Sequence, residues 1–376
     1  MILETSYAYH FSRFFVSMTY LDANATEPLH PVSRDAILAA LTLTGNPSSV
    51  HAAGRAARRL LEDSREAVAR RFGVRPEDLV FTSGGTEANA LAIHALAPGR
   101  RVVVGATEHD AVRGAAPPHA AMLPVNRDGL ALLDALPALL GHGPALLCLM
   151  LANNETGTIQ PVAEAAAICR AAGALLHVDA VQAGGRMAVD IADLGADSMA
   201  VSSHKMGGPA GAGALLVRPG LPITALIAGG GQERGRRGGT HPLPAIAGFA
   251  AAARIAAAPA GLAVLRDMIE AAATRSGAIV LGGARRLANT TCLALPGVRA
   301  ERQVIILDMA GIQVSAGAAC SSGKVARSHV LAAMGLGALA GEAIRVSLPW
   351  NAAAADAHAF IAAYSAMAGR LTRDAA

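Results

Sequence analysis

A chain of 376 residues, 53% hydrophobic and only 16% charged, is long enough to bury the core of one large domain and a smaller one. Its formal charge of +4 and pI of about 9.1 come from scattered arginines with few aromatics between them, which argues against a nucleic-acid surface. The longest uncharged run, residues 135–154, is broken by Pro137, Gly141, Gly143 and Pro144, so no membrane-spanning helix is expected and a cytoplasmic location is.

Residues 1–17 hold five aromatics in a chain otherwise poor in them, without the basic start, apolar centre or small-residue cleavage site of a signal peptide. Residues 1–19 are therefore read as an extension from an upstream start, with Met18 as the natural first residue. From Tyr20 onward the hydrophobic patterning predicts a helix over 57–72, a strand over 79–82, a helix over 87–96 and a strand over 101–105. Further strands are predicted over 145–151, 174–178, 198–202 and 213–217, with Pro161 opening a helix between the first two. This alternation implies an α/β domain over 20–256 with a mostly parallel central sheet covered by helices, whose ligands gather at the carboxyl ends of the strands. Residues 257–376 read as a smaller α/β domain: two alanine-rich helices, a strand over 291–295, a helix over 301–310 and a strand over 343–348. The four cysteines, Cys148, Cys169, Cys292 and Cys320, have neither disulfide-framework nor metal-site spacing, which points to a reducing compartment and no metal.

The chemistry-bearing motifs all fall at predicted strand ends. Ser83-Gly84-Gly85-Thr86-Glu87 joins a strand to a helix, so its glycines let the backbone approach an anion and the helix N-terminus offers free N–H groups. It matches neither the P-loop nor the dinucleotide fingerprint, so a nucleotide is not indicated, and an ordinary glycine-rich connection remains open. Thr107-Glu108-His109 places a histidine where it can stack on a planar ring or pass protons. Asn153-Asn154-Glu155-Thr156-Gly157 offers amide donors. The stretch from Ala174 to Pro209 ends one strand on Asp179 and the next on Ser202-Ser203-His204-Lys205. Lys205 is one of only two lysines, with Lys324. A lysine amine can form a Schiff base with an aldehyde and an arginine cannot, so a lysine in such a chain invites a chemical explanation.

Pyridoxal 5′-phosphate needs a lysine for its aldehyde, a helix N-terminus for its phosphate, a carboxylate for its ring nitrogen and a flat partner for its face. Lys205, Thr86, Asp179 and His109 are the candidates for those roles, in that order. With them in view, YLDANAT, NPSSVHAAGRAAR, FTSGGTEANALAI, TEHDAV, NNETG, HVDAVQ, SSHKMGGPAG, GGGQERGRRGGT, SAGAACSSG and IRVSL follow one another from Tyr20 to Leu348. In this ordered set the chain resembles the cysteine desulfurases of the class V aminotransferase superfamily, nearest to the iron–sulfur-cluster-assembly group.

The resemblance implies a fold type I pyridoxal-phosphate enzyme that converts L-cysteine to L-alanine. It implies that Lys205 forms the Schiff base and moves the α-proton, that Asp179 pairs with the ring nitrogen, and that His109 stacks on the ring and takes part in acid–base steps. Asn154 and Gln182 would contact the ring oxygen; Gly85, Thr86, Ser202 and His204 would hold the phosphate. Arg345, helped by Asn154, would take the substrate carboxylate. Thr240 would reach the phosphate of a neighbouring subunit, which implies a homodimer. Cys320, in a run of small residues that predicts a mobile loop, would take the sulfur as a persulfide and pass it to an acceptor such as an iron–sulfur scaffold protein. Cys148, Cys169 and Cys292 fall inside apolar patterns and read as core residues. Two departures stand out: the loop reads SAGAAC where SSGSAC is commoner, and Gly238 replaces a common serine. The tail that some relatives use to dock a scaffold looks short. A selenocysteine lyase, a class V aminotransferase and a non-catalytic sulfur-relay or cofactor-binding subunit stay open as alternatives.

Overall fold

The computed structural model describes residues 18–256, 260–317 and 327–373. The extension at 1–17 and the segment holding Cys320 and Lys324 lie outside these described residues. The first strand, β1 (Thr19–Tyr20), is followed by the seven strands of the main sheet: β2 (Leu79–Thr82), β3 (Arg101–Gly105), β4 (Ala121–Leu123), β5 (Ala145–Cys148), β6 (Leu175–Asp179), β7 (Ser198–Ser202) and β8 (Gly213–Val217). Their spatial order is β2-β8-β7-β6-β5-β3-β4, and four of the six pairings are parallel; β8 runs against both neighbours.

Both faces of this sheet are covered, and the sequence shows why. Val103, Leu147, Leu176, Met199 and Leu216 point into one apolar core, while Val102, Leu146, Ala200 and Leu215 point into another on the opposite face. Period-two alternation therefore yields near-continuous apolar runs, as a sheet buried on both sides requires. Each fully buried aliphatic side chain contributes roughly 1.5–3 kcal/mol. The layers thus hold the strand ends, where the polar motifs emerge, in fixed relation.

The second sheet contains β9 (Ile279–Leu281), β10 (Thr290–Ala294), β12 (Ser315–Ala316) and β13 (Ala343–Ser347) in the order β12-β13-β10-β9, antiparallel throughout; β11 (Ile312–Gln313) pairs with β1. Leu21 packs in the core of this second sheet with Leu293, Ile344 and Phe360. The chain thus enters through the smaller sheet's core before crossing to the larger one.

Several predicted boundaries shift. The strand expected over 145–151 ends at Cys148, because the chain then turns toward Asn153, and the strand expected over 174–178 runs one residue further, onto Asp179. The helix expected over 87–96 begins at Gly85. Of the two alanine-rich helices expected between 257 and the strand at 291–295, the described residues hold one, Leu262–Arg275; the alanine-rich Leu243–Ile255 precedes it and packs beside Pro31–Leu41 and Ala52–Arg71. A further helix, Ala354–Arg373, covers the second core.

Glu233 and Arg234 adopt φ of 48° and 58°, the left-handed region that side chains disfavour. The turn is pinned by the buried Glu233 carboxylate, which accepts both Arg65 guanidinium nitrogens at 2.9 and 2.6 Å, the Phe81 N–H at 2.9 Å and His241 Nε2 at 2.7 Å. Burial raises the pKa of Glu233, but the His241 and Arg65 hydrogen bonds outweigh it and hold the acid at about 2. A depressed folded-state pKa gives stability that is present above the unfolded value of 4.5 and lost as pH falls through about 2. Glu233→Gln leaves buried Arg65 with only the more exposed Glu62 as counter-charge and is expected to cost about 3 kcal/mol. Urea unfolding at pH 7 and pH 3 checks this, with the gap between parent and variant narrowing at pH 3.

Candidate active site

A cavity of about 360 Å³ opens where the carboxyl ends of β5, β6 and β7 meet the second sheet. That size suits a small cofactor with its substrate. Gly85, Thr86, His109, Asn154, Asp179, Gln182, Ser202, His204, Lys205 and Arg345 all line it, so ten of the twelve expected site residues come together. Thr240 is exposed and does not line the cavity, and Cys320 lies outside the described residues.

One end of the cavity is built for an anion. The twelve-residue helix Gly85–Leu96 starts there with no side-chain cap, leaving its first N–H groups without intrahelical partners. Gly85 is required for close approach, since a Cβ there would fall 2.5 Å from Val181 Cγ2. Ser202 and His204 border the same end. Burial, with the Lys205 and Arg186 charges adding to it, lowers His204 to about 4, so it faces the cavity as a neutral ring whose Nδ1 lies 3.2 Å from Thr26 Oγ1.

At the far end of β6, Asp179 is only 6% exposed. Its Oδ1 accepts the Val181 N–H at 2.9 Å and its Oδ2 accepts Asn89 Nδ2 at 2.8 Å. Burial pushes its pKa up, against the pull of Val181, His109, Asn89 and Lys205. His109 caps the short helix Asp110–Arg113 by accepting the Ala111 N–H on Nδ1 at 3.0 Å, which fixes the ring. Lys205 Nζ donates to the carbonyls of Asn24 and Ala25 at 2.5 and 2.7 Å. Gln182 Nε2 donates to the same Asn24 carbonyl at 3.0 Å.

Arg345, 2% exposed, donates from one terminal nitrogen to the Asn154 carbonyl at 3.1 Å and from the other to Asp22 Oδ1 at 2.6 Å. Asp22 Oδ2 in turn accepts Ser315 Oγ at 2.8 Å. Asp22, Asn24 and Asn89 are site residues that sequence reasoning missed. Two of them sit in YLDANAT and one in FTSGGTEANALAI, so their motifs were visible but no spacing rule links them to Arg345, Lys205 or Asp179.

Residues 19–360 match the model of the family described as aminotransferase class-V. The chain belongs to that family. Among class-V relatives, a cysteine desulfurase of Cereibacter sphaeroides is 43% identical, covering 89% of this chain and 92% of that one. An IscS-like cysteine desulfurase of Mycobacterium tuberculosis is 37% identical over 95% and 98% of the two chains. Of solved structures, a NifS-like protein from Rickettsia africae superposes with a TM-score of 0.86 at 33% identity, covering 93% of this chain and 99% of that one. SspA in complex with cysteine gives 0.79 at 27% identity, over 88% and 99%.

Class-V members work with pyridoxal 5′-phosphate, and the residues present here fit it. An uncapped helix N-terminus, a glycine where any side chain would clash, a buried carboxylate, a planar ring and a lysine line one cavity. The remaining cysteines are not part of it: Cys148, Cys169 and Cys292 are buried, and burial pushes their thiols up, Cys169 to about 12. Among the described residues no group of side chains could hold a metal ion, and no helix is long and apolar enough to cross a membrane.

Glu155, 2% exposed, lies within electrostatic reach of Arg345 and beside Gly317 and Ser328. Its Oε2 accepts Ser328 Oγ at 2.6 Å, and a Cβ on Gly317 would come within 2.7 Å of that oxygen. Burial raises its pKa to about 7; Ser328 and Arg345 pull it down and Asp110 pushes it up. Because the folded state holds this proton more tightly than the unfolded one, the contribution is complete below pH 4.5 and lost as pH rises through 7. The difference amounts to about 3 kcal/mol. Urea unfolding at pH 5 and pH 8.5 should show a smaller loss for Glu155→Gln than for the parent, and equal losses would refute this assignment.

Proposed function

We propose that the protein is a homodimeric cysteine desulfurase: L-cysteine enters, L-alanine leaves, and the sulfur departs as a persulfide on Cys320. The observation that carries this reading is the placement of Arg345 in the same cavity as Lys205 and Asp179. A fork-shaped cation there suits an amino-acid carboxylate, while the helix N-terminus at the other end takes a phosphate. The desulfurase relatives and the cysteine held by a structural relative support the choice of substrate.

When bound, pyridoxal phosphate supplies an electron sink that lets the Cα proton leave and the Cβ–S bond break. The chain's own residues do the rest. Helix Gly85–Leu96, Thr86, Ser202 and neutral His204 bind the phosphate. Asp179 holds a proton on the ring nitrogen, His109 covers the ring face, and Asn154 and Gln182 orient its oxygen. Lys205 anchors the cofactor and moves the α-proton. Arg345 binds the substrate carboxylate, which competes with Asp22 for the guanidinium and so enters a site whose charge is already balanced. Cys320, as a thiolate, takes the substrate sulfur: one Cβ–S bond breaks, one S–S bond forms, and the carbon skeleton leaves as alanine after gaining a proton.

Thr240 belongs in this reading to the site of a second copy. Its exposure supports that, as does the ion pair of Arg237 with Glu87 at 2.8 Å, which ties its segment to the phosphate-binding helix. The persulfide is handed to an acceptor protein such as an iron–sulfur scaffold, in the cytoplasm.

Lys205→Ala should abolish both the visible band of the cofactor-loaded protein and alanine formation. Cys320→Ala should keep the band and lose at least 99% of alanine formation from L-cysteine; normal turnover there would sink the persulfide route. Arg345→Lys, which loses the planar fork, should raise KM for L-cysteine about tenfold or more.

A further inference from the structure

Behind Asp179 runs a chain of buried polar groups to which the proposed reaction gives no part. His177 precedes Asp179 by two residues on β6, so strand geometry sends both side chains to one face, toward helix Gly85–Leu96. On that helix Asn89 is 1% exposed, and on the neighbouring strand β7 Ser198 stands opposite His177 in register. His177 is fully buried, with Nδ1 2.9 Å from Ser198 Oγ and Nε2 2.9 Å from Asn89 Oδ1. Asn89 then gives Nδ2 to Asp179 Oδ2 at 2.8 Å.

The chemistry of these groups allows one direction of donation. An ionised carboxylate only accepts, so the Asn89 amide must turn its NH2 to Asp179 and its oxygen to His177. That oxygen needs a donor, so Nε2 of His177 carries the proton. Nδ1 is then bare and takes the Ser198 hydroxyl. A second ring proton would have to go to Ser198, and burial outweighs that contact by lowering His177 to about 4, so Nδ1 stays bare.

We propose that Ser198, His177 and Asn89 form a one-directional hydrogen-bond relay that positions Asp179 and keeps its free lone pair aimed into the cavity. The proposal rests on the reading of Asp179 as the partner of the ring nitrogen. His177 and Asn89 are positioning residues. With the Val181 N–H on Oδ1, the relay holds both carboxylate oxygens from the protein side and fixes the plane of the group. Removing His177 leaves the Asn89 amide free to rotate, and a rotated amide turns its oxygen toward the carboxylate.

The relay is tested by substitution and by NMR. His177→Phe keeps the volume but no donor, whereas His177→Gln keeps an N–H that can reach Asn89. Pyridoxal-phosphate affinity should fall tenfold or more in His177→Phe and in Asn89→Ala. The pH midpoint of the visible band should move by at least half a unit, with His177→Gln within threefold of the parent and unshifted. A well-folded His177→Phe protein with parental affinity and midpoint overturns the relay. Should that variant not fold, nitrogen-15 NMR of the unsubstituted protein decides. A neutral His177 protonated on Nε2 at pH 7 supports the relay, and an Nδ1–H tautomer or an imidazolium overturns it. If the parent binds no pyridoxal phosphate, the cofactor reading of Asp179 fails while the NMR result still judges the relay.

Discussion

A carboxylate almost wholly buried at the edge of the cavity is the constraint on which the site depends. Asp179 ends β6 beneath a cavity, and burial pushes its pKa up. The fold answers with donors: the Val181 N–H, the Asn89 amide, and the charge of Lys205 nearby. Each donor arrives on a different element, so the sheet, helix Gly85–Leu96 and the lysine turn after β7 are all tied to one carboxylate. The apolar layers on both faces of the sheet supply the rigidity that makes such spacing reproducible.

A second constraint joins the two sheets. Residues 21–27 cross from one core to the other, with Leu21 in the smaller core and Glu27 in an ion pair with Arg186 at 2.9 Å. Between them, Asp22 balances Arg345, and the Asn24 carbonyl receives both Lys205 and Gln182. The Asn24 side chain donates to the Asn154 carbonyl and to Thr290 Oγ1, both at 3.0 Å. One crossing of seven residues therefore touches Arg345, Lys205 and the turn at Asn154. A shift of one sheet against the other is felt at all three places together.

Most of the site was legible because its residues sit at strand ends, where an apolar run stops and a polar motif starts. Thr86, His109, Asp179 and Lys205 could be read in this way, and the strands at 79–82, 101–105, 198–202 and 213–217 fall where the apolar pattern put them. Asn89 and His177 could not. Inside a helix and a strand, a polar residue among apolar neighbours is indistinguishable from a satisfied core group until its partner is known. Asp22 was hidden for another reason, since its partner stands 323 residues away on a strand of the second sheet. The alanine-rich helices were misassigned because alanine sets helix propensity without marking which core a helix faces. Leu243–Ile255 is buried against the larger domain by its Ile246 and Phe249, not by its alanines alone.

Burial raises the pKa of three acids at or near the cavity, and the donors around each oppose the rise to different extents. Glu108 is fully buried, accepts only the Met150 N–H on one oxygen, and leaves its other oxygen without a partner; it also faces the charge of Asp179, so its pKa rises well above the ordinary range. Glu155 has the Ser328 hydroxyl and the attraction of Arg345, and lies near neutrality. Asp179 has a donor on each oxygen, and Lys205 and His109 also pull its pKa down against burial. Donors weighed against burial thus set how far each acid is moved, with Glu108 well above the ordinary range and Glu155 at about 7. Glu108 stands next to His109 in the sequence and within electrostatic reach of Asp179, so an ionised Glu108 would set two buried carboxylate charges against each other. Its lack of donors is therefore as much a part of the site as the abundance of donors at Asp179.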